Sequence, residues 1–248
     1  MKNPRVAAWV LLLLVLGLWE LAARGLALSV LVLPAPSVVM AALWRSLSSG
    51  YLWPHIAQTC LEVGLGLTLG GSLGFVGGLV LGESDYLRRM LMPYVVTSQV
   101  IPKLALGPLF IVWFGFGTLP VVVMTALICF FPLMENTLTS LRTVDAQRLE
   151  LFRMLRANRW QILWRLKIPA GLPGIMAGLR VAVVLALVGA VVAEFVGASK
   201  GLGALIIVSQ GMMDTPLMFA VLFVITLLGL VMYQCTLRLE HYLLKSYV

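Results

Sequence analysis

Apolar residues arrive along this chain in long blocks, with the polar residues gathered between them. Blocks near 6–23, 58–82, 95–115, 119–138, 175–197 and 217–237 approach or exceed the roughly twenty residues a helix needs to cross a hydrocarbon core of about 30 Å. The expected fold is therefore all-α integral membrane: six transmembrane helices in a single domain over residues 1–248. Glycine and proline inside the blocks do not argue against helix, because neighbouring helices re-satisfy the freed backbone groups. Two shorter helices are expected between spans. Pro34 and Pro36 before Ser37 fit the start of one over Val38–Leu47, and Gly201-Leu202-Gly203 introduces another over Ala204–Met213. Interfacial loops would fit both segments equally well.

Composition supports the membrane assignment. Of 248 residues, 61% are hydrophobic and 11% charged, with mean hydropathy +1.02, whereas soluble chains are roughly 45–50% apolar and about 25% charged. The first block could instead be a cleaved signal sequence, since Lys2 and Arg5 precede it and small residues follow near Ala27 and Ser29. Its length, and Glu20 and Arg24 before any cleavage point, favour a retained span. Cys60, Cys129 and Cys235 stand singly in apolar sequence, with no CxxC and no adjacent His, and read as small core residues.

Charge sets the orientation. With the N-terminus inside, the inner segments carry thirteen basic residues: Lys2, Arg5, Arg88, Arg89, Arg142, Arg148, Arg153, Arg156, Arg159, Arg165, Lys167, Arg238 and Lys245. The outer segments carry Arg24, Arg45 and Lys200. The positive-inside bias then puts both termini in the cytoplasm. The net charge of +8 is accounted for without a nucleic-acid partner. The longest inner loop, 139–174, holds Arg153, Arg156 and Arg159 three apart, with Leu151, Leu155, Trp160, Ile162, Leu163 and Trp164 supplying apolar faces. That is an amphipathic pattern. A helix lying on lipid headgroups and a docking surface for a cytoplasmic protein both fit it, and periodicity does not choose.

Within the second span, Gly66, Gly70, Gly74, Gly78 and Gly82 recur at every fourth residue, a small-residue stripe that lets backbones approach. At 3.6 residues per turn the stripe drifts about 40° per step, so its two ends can meet different neighbours, with packing inside the subunit favoured over a contact between two copies. The Gly70-Gly71-Ser72-Leu73-Gly74 stretch is formally G-x-S-x-G, but a hydrolase elbow needs a strand-to-helix turn and a His partner, and the chain's histidines are His55 and His241. Polar groups inside spans are costly and mark function or interhelical bonding. Gln99, Lys103 and Glu194 are the candidates for pathway or gate, with Lys103 deep enough to need a partner, water or a route to the interface. Glu62 and Glu135 lie nearer span ends and read as interfacial. There is no G-x-x-x-x-G-K-[ST], no paired-carboxylate or nucleophile–base set and no metal cluster, so the chain is not expected to be an enzyme.

Several segments resemble the permease subunits of ABC importers. Glu150, Leu166, Ile168 and Pro169 keep the spacing of the EAA loop, in which Glu-Ala-Ala is followed by three residues, Gly, nine residues and Ile-x-Leu-Pro. LPAPSVV (Leu33–Val39), IPKLALGPLFIVWFGFG (Ile101–Gly117), RANRWQILWRLKIPAGLPGIMAGLR (Arg156–Arg180) and AEFVGASKGLG (Ala193–Gly203) resemble the nitrate, sulfonate and taurine branch, and the third-span run also resembles importers of thiamine pyrimidine precursors or riboflavin. The resemblance implies a cytoplasmic coupling-helix loop between spans 4 and 5, with Glu150, Arg153, Arg156, Arg159 and Pro169 facing an ATPase. It also implies two copies of that ATPase, which bind the ATP and Mg, no cofactor in this chain, a second permease copy forming a homodimer, and an extracytoplasmic substrate-binding protein. The location implied is the bacterial inner membrane, with the lipid bilayer as surroundings. Leu151 and Phe152 replace the paired alanines and Arg156 replaces the glycine, so either the turn is strained or the helix runs through it. Apart from the resemblance, a self-contained channel or secondary transporter is the competing reading.

Overall fold

A computed structural model describes residues 4–26 and 29–245; Lys2 and the small residue Ala27 beside the possible cleavage point lie outside them. Among the described residues every regular element is helical. Five long helices are apolar enough to span: α1 (Pro4–Gly25), α3 (Trp53–Glu83), α6 (Thr118–Arg142), α9 (Ile168–Gly197) and α11 (Thr215–Leu244). The two short helices expected between spans are present as α2 (Pro36–Ser48) and α10 (Leu202–Gly211).

The apolar run 95–115 is not one helix. It is divided between α4 (Asp85–Val100) and α5 (Gly107–Phe114), which bend by 77° across a single 3-10 turn, Lys103–Leu106. Pro102 lacks the N–H that would continue the ladder and pushes Ile101 to extended backbone, at φ −64 and ψ 124. Pro108, in the first turn of α5, restarts the helix. Counted as one broken span, α4 and α5 bring the total to six.

α3, α6 and α9 form the centre, with α6 between the other two, around Val63, Val121, Met124, Cys129, Ala182, Ala186 and Ala190. A second cluster, Leu52, Leu202, Leu205, Ala220 and Val221, joins α10 and α11 to α2 and the start of α3. The glycine stripe of α3 makes the first seam, and all five glycines meet α6 alone. Gly66 faces Thr125, Gly70 the Ala126 backbone, Gly74 Phe130, Gly78 Thr137 and Gly82 Leu141. The change of neighbour that the drift allows does not occur, because α6 answers with its own four-residue row: Val122, Ala126, Phe130 and Met134. Two i±4 ridges interdigitating let the partner track the winding stripe. By contrast α1 is almost wholly exposed and α4 buries no residue.

Ion pairs order the bundle ends. Lys167 Nζ lies 2.5 Å from Glu83 Oε1, and Arg142 Nη1 lies 2.7 Å from Asp85 Oδ1. The basic loop, the α3–α4 turn and the end of α6 therefore share one end.

Candidate functional site

The 139–174 loop is not a single amphipathic helix. It folds as α7 (Ala146–Met154) and α8 (Arg159–Ile162), joined by a tight turn. Asp145 begins α7 by accepting from Gln147 N–H at 3.0 Å. The helix ends in a Schellman arrangement: Arg156 N–H donates to Arg153 O at 2.9 Å and Ala157 N–H to Phe152 O at 3.0 Å. Arg156 holds the left-handed position, with φ 54. Of the two alternatives at this non-glycine position, the strained turn is the one observed. Asn158 and Gln161 then close a reciprocal capping box at 2.8 and 2.9 Å, which opens α8. Both sides of the turn are thereby fixed.

This geometry separates Arg153 on α7 from Arg159 on α8, so their three-residue spacing does not define one face. It leaves Leu151, Met154, Leu155 and Trp160 more than half exposed beside Arg153, Arg156 and Arg159, with Glu150 also exposed. Leu163 and Leu166 point into the protein. From α8 the chain continues as helix into α9 through a widened five-residue turn, Leu163–Lys167. Pro169 explains that widening: it has no N–H for the ladder and its ring crowds the carbonyl four residues earlier, which a π-type turn accommodates. From Arg159 onward the loop and the span are thus one rod, also tied to α3 through Lys167 and Glu83.

Arg156→Gly tests the strain. A left-handed non-glycine residue costs about 1–2 kcal/mol, while glycine's extra freedom in the unfolded chain offsets about 0.4–1 kcal/mol. The thermal midpoint of the purified protein should stay level or rise slightly; a clear fall would mean that the Arg156 side chain makes contacts worth more than the strain.

At the other end, Glu194 sits in a buried polar knot. Thr59 Oγ1 donates to Glu194 Oε1 at 2.6 Å, and Gly203 N–H donates to Glu194 Oε2 at 2.5 Å. Leu202 N–H donates to Thr59 Oγ1 at 2.9 Å and Gly201 N–H to His55 Nδ1 at 3.2 Å. The N-cap of α10 is Gly201, at φ 131, which has no side chain with which to satisfy the first amides. Side chains of α3 and α9 do so instead. A Cβ on Gly201 would fall 2.5 Å from both Glu194 carboxylate oxygens, so only glycine lets the carboxylate in.

Glu62 belongs to the same knot and is fully buried, contrary to its expected interfacial place. Gln58 Nε2 donates to Glu62 Oε1 and to Thr118 Oγ1, each at 2.7 Å. Distance along the chain misled here, because α10 and the start of α6 cover this end of α3. Glu135 is exposed. Sequence reasoning also passed over Gln58, Thr59 and Thr118; polar residues at positions 58, 59 and 62 of an apolar helix, three and four apart, were the available signal.

Lys103 lies in the break between α4 and α5, with its Nζ 4.6 Å from the centroid of the Phe131 ring. Of the routes open to a cation at that depth, it takes a partner, the ring face of an aromatic on α6. Gln99, one turn earlier on α4, is exposed. No hydrogen bond or ion pair among the described residues joins Gln99, Lys103 and Glu194, so the three expected pathway residues do not form one constellation. No group of three or more His, Cys, Asp or Glu side chains among the described residues could hold a metal ion.

Comparison with known proteins places this architecture. The chain is 36% identical to the riboflavin transport system permease protein RibX of Chloroflexus aurantiacus, over 98% of its own length and 90% of that protein's. It is 36% identical to the formylaminopyrimidine transport permease protein ThiX of Halalkalibacterium halodurans, covering 94% and 92%. Identity is 32% to the putative aliphatic sulfonates transport permease protein SsuC of Bacillus subtilis, covering 93% and 84%. A solved inward-facing MetNI methionine ABC transporter contains a chain of the same fold, with TM-score 0.63, 19% identity, and coverage of 77% of this chain and 94% of that one. Residues 67–245 match the family described as the binding-protein-dependent transport system inner membrane component, and with that match across most of its length, this chain belongs to that family and is an ABC transporter permease.

Proposed function

We propose that the chain works as a homodimer in the bacterial inner membrane, with both termini cytoplasmic, docking two ATPase subunits through the 139–174 loop and one binding protein on the opposite side. The observation that carries this reading is the doubly capped α7–α8 turn, which presents Leu151, Met154, Leu155 and Trp160 among arginines at the basic end of the bundle. A headgroup helix needs no such rigid turn, whereas a part that receives motor motion does. Glu150, Arg153, Arg156 and Arg159 supply the docking chemistry. Pro169 marks where the docking element becomes span α9, so a pull on α7 reaches the α8–α9 rod through the capped turn at Arg156, which is held on both sides. ATP closing the motor dimer would draw the two loops together and switch the pathway between its two openings, with hydrolysis resetting it. ATP and Mg belong to the ATPase.

Lys103 and Gln99, at the break between α4 and α5, are the proposed pathway contacts, and Glu194 is the proposed latch of the outer gate. The substrate is a small solute. Relatives named for riboflavin and a formylaminopyrimidine share 36% identity, and one named for aliphatic sulfonates shares 32%. A heterocyclic vitamin or its precursor is therefore the first ligand to test, and a sulfonate, taurine or nitrate the second.

The test is gentle extraction of the tagged chain from its native membrane and identification of its companions. An ABC ATPase and a binding protein are expected, and the binding protein's ligand can then be screened by calorimetry. Transport by the purified chain alone on an ion gradient, with no ATPase recovered in any mild detergent, would overturn the importer reading in favour of a self-contained carrier or channel.

A further inference from the structure

Glu194, which holds the start of α10 through Gly203 N–H, and its buried neighbour Glu62 have no counter-cation among the described residues. Glu62 and Glu194 are 0% and 1% exposed, their carboxyls lie within hydrogen-bonding reach of each other, and neither enters an ion pair among the described residues. Three of their four oxygens receive donors: Glu194 Oε1 from Thr59, Glu194 Oε2 from Gly203 N–H and Glu62 Oε1 from Gln58. The fourth, Glu62 Oε2, is buried with no partner. Two touching carboxylates shielded from water repel and do not both stay ionised. An orphaned buried acceptor adds its own cost.

One proton resolves both problems. We propose that Glu62 and Glu194 bind a single shared proton, carried on Glu62 Oε2 and donated to Glu194, and that this proton latches α10 to α3 and α9. Its loss breaks the Glu62 O–H bond and hands the proton to water or hydroxide, leaving two carboxylates. A cavity of about 300 Å³ that Glu194 lines together with Phe116, Val196 and Ile207 gives water its way in. The repulsion then falls on the carboxylate that caps Gly203, so α10 loosens as pH rises and is held as pH falls.

Other titratable groups near the pair are few. α3 brings His55, whose Nδ1 is engaged by the Gly201 backbone, 3.0 Å from its carbonyl oxygen and 3.2 Å from its nitrogen, and Cys60; Tyr51 packs against the His55 ring. Lys200 is exposed in the turn before α10, while α5, α10 and the first turns of α6 carry no titratable side chain. Among the described residues no ion pair offers the pair a charge to balance it. That α10 borders the extracytoplasmic gate rests on the importer reading; the shared proton does not, and its test needs neither ATPase nor binding protein.

Infrared spectroscopy of the full-length purified protein reads the proton directly. Wild type at neutral pH should show the carbonyl stretch of a protonated carboxylic acid that Glu62→Gln lacks, because the amide donates to Glu194 in the proton's place. As pH is raised the band should vanish, and amide exchange at Leu202 and Gly203 should speed at least tenfold beyond its intrinsic pH dependence. In Glu62→Gln exchange should keep only the intrinsic dependence. Absence of the band in wild type at neutral pH, a band unchanged in Glu62→Gln, or equal loss of protection in both proteins would overturn the proposal. If Glu62→Gln does not fold, the wild-type titration decides: band and protection must disappear together.

Discussion

Gly70→Ala should prevent normal assembly of the permease, whereas Gly64→Ala, six residues earlier on the same helix, should be tolerated. The pair separates packing from propensity. Both substitutions give α3 the same gain in intrinsic helix preference, about 1 kcal/mol, so any difference comes from what the new methyl meets. At Gly64 nothing lies within 4 Å. At Gly70 the methyl would lie 2.6 Å from the Ala126 Cα and 2.7 Å from its carbonyl carbon, and it would press hardest on the carbonyl oxygen. These are backbone atoms of a buried helix and have no rotamer to change. The two helices must part, which also opens the neighbouring contacts of Gly66 and Gly74 along the same seam. Overpacking costs about 1–3 kcal/mol and sometimes more, and here it falls on the central α3–α6 interface. Size-exclusion profiles and thermal midpoints of the two variants in detergent check this; equal midpoints would mean that the seam is looser than described.

Legibility in the sequence follows what each signal measures. Hydropathy counts oil, so the apolar blocks 6–23, 58–82, 119–138, 175–197 and 217–237 each lie inside one long helix, while the polar helix ends beyond them carry no such signal. Hydropathy could not see the break in the third span, because α4 and α5 are apolar on both sides of Pro102 and Pro108. The glycine repeat announced a close helix contact but not its partner, since that depends on a matching row in α6 that is built from Val122, Ala126, Phe130 and Met134 rather than from small residues alone. Arg156 shows a different limit. Nothing about arginine favours a left-handed backbone; only the register from Glu150 to Pro169 marked that position as a turn, and the Schellman bonds to Arg153 and Phe152 supply what the missing glycine would have allowed. Glu62 was misplaced because its burial is made by residues far along the chain, above all Thr118 and the α10 start.

Glu150→Arg should disconnect the permease from its motor while leaving the bundle intact. Between positions 146 and 193 Glu150 is the only acidic residue, set among Arg148, Arg153, Arg156 and Arg159. It is exposed, and no ion pair among the described residues uses it; Arg148 leans instead toward Asp145, at 3.9 Å. An acid without an internal partner, next to the exposed Leu151 and Met154, is free to meet a cation on a docking protein. Reversal places like charges together at that contact, which costs several kcal/mol when the interface closes, and each 1.4 kcal/mol is tenfold in affinity. Copurified ATPase should fall more than tenfold, with transport lost alongside it. Glu150→Gln, which removes the attraction without adding repulsion, should lose less. The thermal midpoint of the permease itself should not move in either variant, because the side chain holds nothing within its own chain. Retention of the ATPase by Glu150→Arg at wild-type levels would return the basic loop to the lipid headgroups, where an added arginine strengthens binding rather than weakening it.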